Sequence, residues 1–318
     1  MNIKSFLKLV EIQTKLASML PLLLGTFYAL LRYESFSLPK FLVMFFSLLC
    51  IDMATTAVNN YMDFKKAVKK QGFGYEMHNA IVRDQLTEAQ VVITIVILLL
   101  LAAAGGLLLV YMTDYFVLLL GAVSLGAGLL YSAGPVPISR TPFGEIFSGG
   151  FMGLLIPFIA IYIQAPAGEL INWSLSWQQL GVTAAWQELI WIALITWPAA
   201  AGIANIMLAN NICDLDDDIA NRRYTLPSYI GTRKALLVFR VLYYSGYAAV
   251  IPLIVFGIVS WPIIAFYLSI IPVEKNIRMF FANQSKQETF VLAVQNFAVM
   301  AASLVASVLL QLLINRIL

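Results

Sequence analysis

Histidine and cysteine are nearly missing from this chain of 318 residues, which holds one histidine, His78, and two cysteines, Cys50 and Cys213. His78 sits in a polar loop with no second histidine or cysteine beside it, so it reads as a solvated side chain and not as a metal ligand. The cysteines fall in or at the ends of apolar runs, which excludes a disulfide framework. Charge is scarce too. Only 12% of the residues are charged and 61% are hydrophobic, whereas soluble domains carry about a quarter of their residues as charge. Linkers and low-complexity tracts are absent, and the chain reads as a single domain over residues 1–318. The N-terminus has no short apolar core closed by a small-residue cleavage site, so the first apolar run is expected to stay in the protein.

Long apolar runs take the place of what is missing. A bilayer crossing needs about 20 mostly apolar residues, and the sequence offers nine such segments, 14–33, 40–62, 90–112, 115–132, 144–164, 188–212, 236–257, 259–273 and 290–315. Trp261-Pro262 marks either a turn between the seventh and eighth or a kink, so eight or ten crossings are the alternatives. With the N-terminus inside, all but Arg32, Lys40 and Arg316 of the 20 lysines and arginines lie on the cytoplasmic side, as the positive-inside rule requires. The net charge of +3 is therefore a topology signal, and nucleic acid is not an expected partner. Trp173, Trp177 and Trp186 read as an interfacial belt on the outer surface, and the loop Glu274–Glu288, mixed in charge, reads as structural.

Four carboxylates, Asp214, Asp216, Asp217 and Asp218, crowd the end of the sixth run, directly after Asn210-Asn211 and before Asn221-Arg222-Arg223. Residues four apart share a helical face, so Asn210, Asp214 and Asp218 form one column. Like charges in a column repel, and the arrangement is favourable only if a cation sits among them. Magnesium fits, because it takes one or two carboxylates together with substrate phosphates. A phosphorylated ligand is the expected partner.

The second run ends in the same way. Asn59-Asn60-Tyr61-Met62-Asp63 and Asn210-Asn211-Ile212-Cys213-Asp214 share the form Asn-Asn-x-x-Asp, and Asn59 and Asp63 share a face. Polar groups at membrane depth usually face a bundle interior or a cavity; the alternative is a helix simply emerging into water at Asp63. Two matching exits would make a pocket with carboxylates on two walls. Lys69 and Lys70 beyond the first exit read as plain positive-inside charge. Glu145 opens the fifth run and is either a partner of the helix dipole or a functional group.

These residues are similar to the motifs of the UbiA superfamily of intramembrane aromatic prenyltransferases, and the resemblance covers nearly the whole chain. The run Asn210-Asn211-x-x-Asp214-x-x-x-Asp218-x-x-Asn221-x-Arg223-x-Thr225-Leu226, with Tyr131-x-x-Gly134-Pro135-x-Pro137 and Gly144-Glu145, most resembles the group that prenylates 1,4-dihydroxy-2-naphthoate in menaquinone synthesis. Asn59-x-Tyr61-x-Asp63-x-x-Lys66 fits that group's first motif. Departures from its pattern are Asn60 for aspartate, Lys69 for a second acid and Cys213 for arginine; Pro135 stands where hydroxybenzoate-specific relatives have lysine.

The resemblance implies an all-α integral membrane protein, with nine transmembrane helices in a bundle around a central cavity open to the cytoplasm. It implies a bacterial plasma-membrane enzyme whose N-terminus and active site are cytoplasmic and whose C-terminus is outside. Its reaction would be Mg2+-dependent transfer of a polyprenyl group from polyprenyl diphosphate to 1,4-dihydroxy-2-naphthoate with decarboxylation, the tail lying against membrane lipid. Asp63, Asp214 and Asp218 would be catalytic and hold the metal. Asn59, Asn60, Lys66, Tyr131, Arg140, Asn210, Asn211, Asp217 and Arg223 would bind substrate, with Asp217 otherwise simply solvated. Other aromatic acceptors (4-hydroxybenzoate, homogentisate or a porphyrin) are the alternative within the class, and a divalent-cation transporter is the alternative outside it.

Overall fold

The computed structural model describes residues 1–66, 80–132, 136–175, 178 and 180–317, without the side chains of residues 63, 66, 132, 175 and 180. The helices in chain order are α1 (Ile3–Leu9), α2 (Leu16–Tyr33), α3 (Leu38–Lys66), α4 (Ala80–Arg83), α5 (Glu88–Met112) and α6 (Tyr115–Ser132). Then come α7 (Gly144–Ser148), a π-helical segment (Gly149–Leu155) and α8 (Ile156–Gln164), which run on as one rod. The order continues with α9 (Trp186–Cys213), α10 (Leu215–Ala220), α11 (Leu226–Ile230), α12 (Thr232–Val255), α13 (Ile270–Ala282) and α14 (Phe290–Ile317). Among the described residues, seven helical stretches are long and apolar enough to cross a membrane: Ile12–Tyr33, Leu38–Met62, Glu88–Met112, Gly144–Gln164, Trp186–Cys213, Thr232–Val255 and Phe290–Ile317.

Two of the nine expected spans differ from that pattern. The fourth is a shorter apolar helix, Tyr115–Tyr131. The eighth begins as a 3-10 helix, Trp261–Ser269, and passes into α13. There Val273, Ile277 and Phe280 are buried while Lys275 and Arg278 are exposed, so α13 is amphipathic and not apolar all round. The segment expected to be a tryptophan belt is an antiparallel hairpin, β1 (Ile171–Leu175) paired with β2 (Leu180–Ala184), Ile171 opposite Ala184 and Trp173 opposite Val182. Trp186 is exposed at the start of α9, and Trp177 lies outside the described residues.

The chain divides into two compact units, residues 1–19 with 42–139, and residues 20–41 with 140–318. In the first, the inner face of α3 gathers α1, α4 and α5 around Leu9, Ala57, Val58, Ala80, Ile81, Val91 and Ile95. Helix α5 starts on a capping box in which Thr87 Oγ1 accepts from Gln90 N–H and Gln90 Oε1 accepts from Thr87 N–H, satisfying amides that a helix start leaves open. Deeper along α3, Asp52 accepts from Lys15 Nζ at 2.7 Å and from Ser18 Oγ at 2.5 Å. Lys15 also donates to Thr56 Oγ1 and to the Asp52 carbonyl.

In the second unit α9 is the most buried of the seven spans. It is enclosed because small residues let its neighbours approach to backbone contact. A Cβ added to Gly153 would lie 2.2 Å from Ala200 Cα, and one on Gly149 would lie 2.7 Å from the Ala200 carbonyl. Gly202 makes room for the Phe297 ring of α14, which an added Cβ would approach to 3.0 Å. The buried amide of Asn205 donates to the Phe239 carbonyl of α12 at 2.9 Å. Helix α9 is thus held on three sides midway along its length, ahead of the stretch that leads to the acidic residues.

Candidate active site

Helix α9 closes at Cys213, and Asp214, at φ −97° and ψ 11°, is the joint to α10. The hydrogen-bond ladder passes through that joint: Asp214 N–H donates to the Asn210 carbonyl at 3.0 Å, and Asp218 N–H to the Asp214 carbonyl at 2.8 Å. Asn210, Asp214 and Asp218 therefore succeed one another at consecutive turns.

Their side chains are nonetheless served by different partners. Asp214 Oδ2 accepts from Lys286 Nζ at 2.5 Å, and the same ammonium donates to Asn210 Oδ1. Asp218, only 5% exposed, faces Arg223 with Nη1 to Oδ1 at 3.5 Å and accepts from the buried Thr225 hydroxyl at 3.4 Å. Burial pushes the Asp218 carboxyl above the usual aspartate range, with the Arg223 guanidinium opposing that rise and the neighbouring Asp214 charge adding to it. The repulsion that the sequence assigns to a bound cation is therefore offset, in this chain, by Lys286 and Arg223. Asp216 and Asp217 are exposed, Asp217 contributing its carbonyl to the Asn221 amide at 2.8 Å.

Arg223 comes back to Asp218 because of how α10 ends. Arg223 N–H donates to the Asp218 carbonyl at 2.8 Å and Arg222 N–H to the Ile219 carbonyl at 3.1 Å, with Arg222 at φ +55°. That is a Schellman turn with arginine where glycine is usual. The turn folds the chain over so that the Arg223 guanidinium also donates to Asn211 Oδ1 at 3.4 Å. Asn211 in turn donates to Glu145 Oε1 at 2.9 Å. Glu145 is buried in the first turn of α7, and its Oε2 has no hydrogen-bond partner among the described residues. Glu145, Asn211, Arg223, Asp218 and Thr225 thus form one continuous network, buried except at Arg223, whose side chain is 25% exposed.

Lys286 is the residue that sequence reasoning misses, because the mixed charge of its loop points to a structural role. The loop Asn283–Thr289 ties itself together: Ser285 N–H donates to Thr289 Oγ1 at 2.9 Å, Thr289 Oγ1 to the Asn283 carbonyl at 2.8 Å, and Asn283 Nδ2 to Glu288 Oε2 at 2.9 Å. It sets the ammonium of Lys286 5.0 Å from the centre of the Phe290 ring. The signal available in sequence is the Ser285-x-x-x-Thr289 spacing ahead of α14, which marks a folded helix entry and not a loose loop.

The first motif belongs to the other unit. Asn59 is exposed on α3, while Asn60 donates to the Leu9 carbonyl at 2.9 Å and to Glu11 Oε1 at 3.1 Å, binding α3 to the N-terminal segment. The side chains of Asp63 and Lys66, and Lys69 as a whole, lie outside the described residues. Tyr131 is half-buried in the last turn of α6, and Arg140 is exposed in the 3-10 turn Ile138–Arg140. Among the described residues no three histidine, cysteine or acidic side chains stand close enough to share a metal. The acid within a span on which a transport reading would draw, Asp52, is bonded by Lys15 and Ser18.

Residues 18–300 match the family model described as the UbiA prenyltransferase family. The chain is similar to a 1,4-dihydroxy-2-naphthoate octaprenyltransferase of Bacillus subtilis (strain 168), 29% identical over 280 residues that span 87% of this chain and 82% of the relative. Its fold is similar to that of a UbiA homolog from Aeropyrum pernix K1, at a TM-score of 0.65 and 16% identity, over 91% of this chain and 97% of that one. A UbiA homolog from Archaeoglobus fulgidus bound to GPP and Mg2+ shares the fold at a TM-score of 0.63 and 16% identity, over 96% and 98% of the two chains.

Proposed function

Because this chain belongs to the UbiA prenyltransferase family and is an integral membrane prenyltransferase, we propose that it transfers a polyprenyl group from polyprenyl diphosphate to 1,4-dihydroxy-2-naphthoate with loss of carbon dioxide, giving demethylmenaquinone. The acceptor rests on the relative whose name carries it. The observation that carries the donor side is the set of hard oxygen donors at the end of α9. Asp214 Oδ2 and Asn210 Oδ1 already share one cation, the Lys286 ammonium, so the position suits a metal of the magnesium kind, which takes carboxylate and carbonyl oxygens.

In this reading both units form one domain, with nine helices around a cavity open to the cytoplasm of a bacterial cell and the C-terminus outside. Asp214 and Asp218, with Asp63 of α3, hold Mg2+. A divalent ion held by those carboxylates would supply positive charge to the diphosphate leaving group. Asn59 and Asn210 orient those carboxylates. Arg223, Lys66 and Arg140 donate to the departing diphosphate, as guanidinium and ammonium groups do for phosphate oxygens. Tyr131, Asn211 and Asp217 contact the substrates, and Asn60 fixes the N-terminal segment beside them. The electron-rich ring carbon of the acceptor attacks the allylic carbon, and departure of the carboxylate as carbon dioxide restores aromaticity.

The test uses the purified chain in detergent with labelled polyprenyl diphosphate, Mg2+ and a panel of aromatic acids. Product with dihydroxynaphthoate alone is expected. Product with hydroxybenzoate, homogentisate or a porphyrin instead would overturn the acceptor, and ion flux in liposomes without prenyl transfer would overturn the proposed reaction.

A further inference from the structure

The ammonium of Lys286 occupies the place on Asn210 and Asp214 that a divalent cation would need, and it is delivered there by a loop that is itself ordered. Ser285 and Thr289 close the loop on each other, Gln284 Nε2 donates to the Phe280 and Phe281 carbonyls at 2.6 and 2.9 Å, and Phe290 lies under the Lys286 ammonium. A lysine held by its own backbone and its neighbour's ring loses little freedom when it pairs, unlike a surface lysine on a loose chain. It also joins two parts of the unit distant in sequence, the end of α9 and the entry to α14.

We propose that Lys286 is a resident counter-cation of the second acidic motif. It holds Asn210 and Asp214 in place while the metal is absent and competes with the divalent ion for Asp214. Once displaced, it is left at the rim of the site as a donor to the anion that arrives with the metal. The inference rests on the reading of Asp214 as a metal ligand. It adds an exchange of cations: binding of metal must release the lysine, and the released charge favours a diphosphate over an uncharged ligand. Metal and diphosphate then bind with positive coupling, since each removes an obstacle to the other.

The test is Mn2+ binding to the purified full chain in detergent, followed by the electron paramagnetic signal of the free ion, with no diphosphate present. Lys286→Met removes the competing charge and keeps the apolar stem, so the dissociation constant should fall about three- to fivefold, the scale of a half-exposed ion pair. Lys286→Gln should act in the same direction, and Lys286→Arg should stay within about twofold of the parent protein. Without metal, Lys286→Met should melt at a lower temperature, and saturating Mn2+ should erase the difference; a merely structural lysine would lower both melts equally. In the presence of inorganic pyrophosphate the gain in Mn2+ affinity should shrink or reverse. Unchanged Mn2+ affinity in both neutral variants, with binding still lost in Asp214→Asn, overturns the counter-cation and leaves the metal reading intact. Mn2+ binding that survives Asp214→Asn overturns the metal reading itself.

Discussion

Replacing Lys15 by methionine strands a carboxylate inside the helical unit that holds it. Asp52 has 13% of its side chain exposed and Lys15 has 5%, with 2.7 Å between Nζ and Oδ1. All three ammonium protons are used, on Asp52 Oδ1, the Asp52 carbonyl and Thr56 Oγ1. Removing one partner of so enclosed a pair leaves an uncompensated charge, at a cost of about 3–5 kcal/mol, whereas replacing both by apolar groups of similar volume is often neutral or favourable. For a chain of this size, at about 2 °C per kcal/mol, Lys15→Met should lower the melting temperature of the detergent-solubilised protein by about 6–10 °C. Lys15→Met with Asp52→Leu should recover most of that loss. With the single variant Asp52→Leu, the four proteins make a double-mutant cycle whose coupling reads the pair directly. A single variant that melts with the parent protein, or a coupling under about 0.5 kcal/mol, would refute the claim that this pair is a closed, neutralised element. It would also reopen Asp52 as a group free to meet an ion.

The second unit yields three further expected outcomes. Arg223→Met leaves Asp218 buried beside Asp214, so it should destabilise the protein by about 1–3 kcal/mol, and Asp218→Asn in the same chain should restore part of it, read by thermal melting. Arg222→Gly removes a side chain from a left-handed position at an exposed turn and should raise stability by up to about 1 kcal/mol without altering prenyl transfer. Gly153→Ala drives a methyl into the Ala200 backbone and should cost about 1–3 kcal/mol or more; a neutral effect would mean that the rod and α9 are not in backbone contact.

The crossing segments are legible in the sequence because each is a long apolar run, a signal that survives without any knowledge of packing. The second acidic motif is legible for a related reason: Asn210, Asp214 and Asp218 at successive turns stand out from the apolar helix that leads to them. Their neutralising partners are not legible. Lys286 is 72 residues from Asp214, and the helical spacing rule reaches only a few residues. Arg223 is close in sequence, but its return depends on a Schellman turn that arginine at position 222 disguises, since the usual cue is glycine. The hairpin at 171–184 is hidden by its tryptophans: alternation of Ile171, Trp173 and Leu175 with Asn172 and Ser174 is the mark of a strand, and the ring side chains invite a membrane-surface reading instead. Glu145 is balanced, on sequence, between a dipole partner and a functional role, and its bond to Asn211 joins it to the buried network.

The π-helical turn between α7 and α8 is the kind of feature that a helix acquires when it gains one residue. Removing one residue from Gly149–Leu155 would let the rod regularise as a plain α-helix, and because the wide turn had absorbed that residue, the stretches on either side would keep their faces. Gln164 would keep its bonds to Ser37, and Glu145 would stay within reach of Asn211. A lineage could therefore gain or lose that residue by a three-nucleotide indel without taking either end of the rod off its partners.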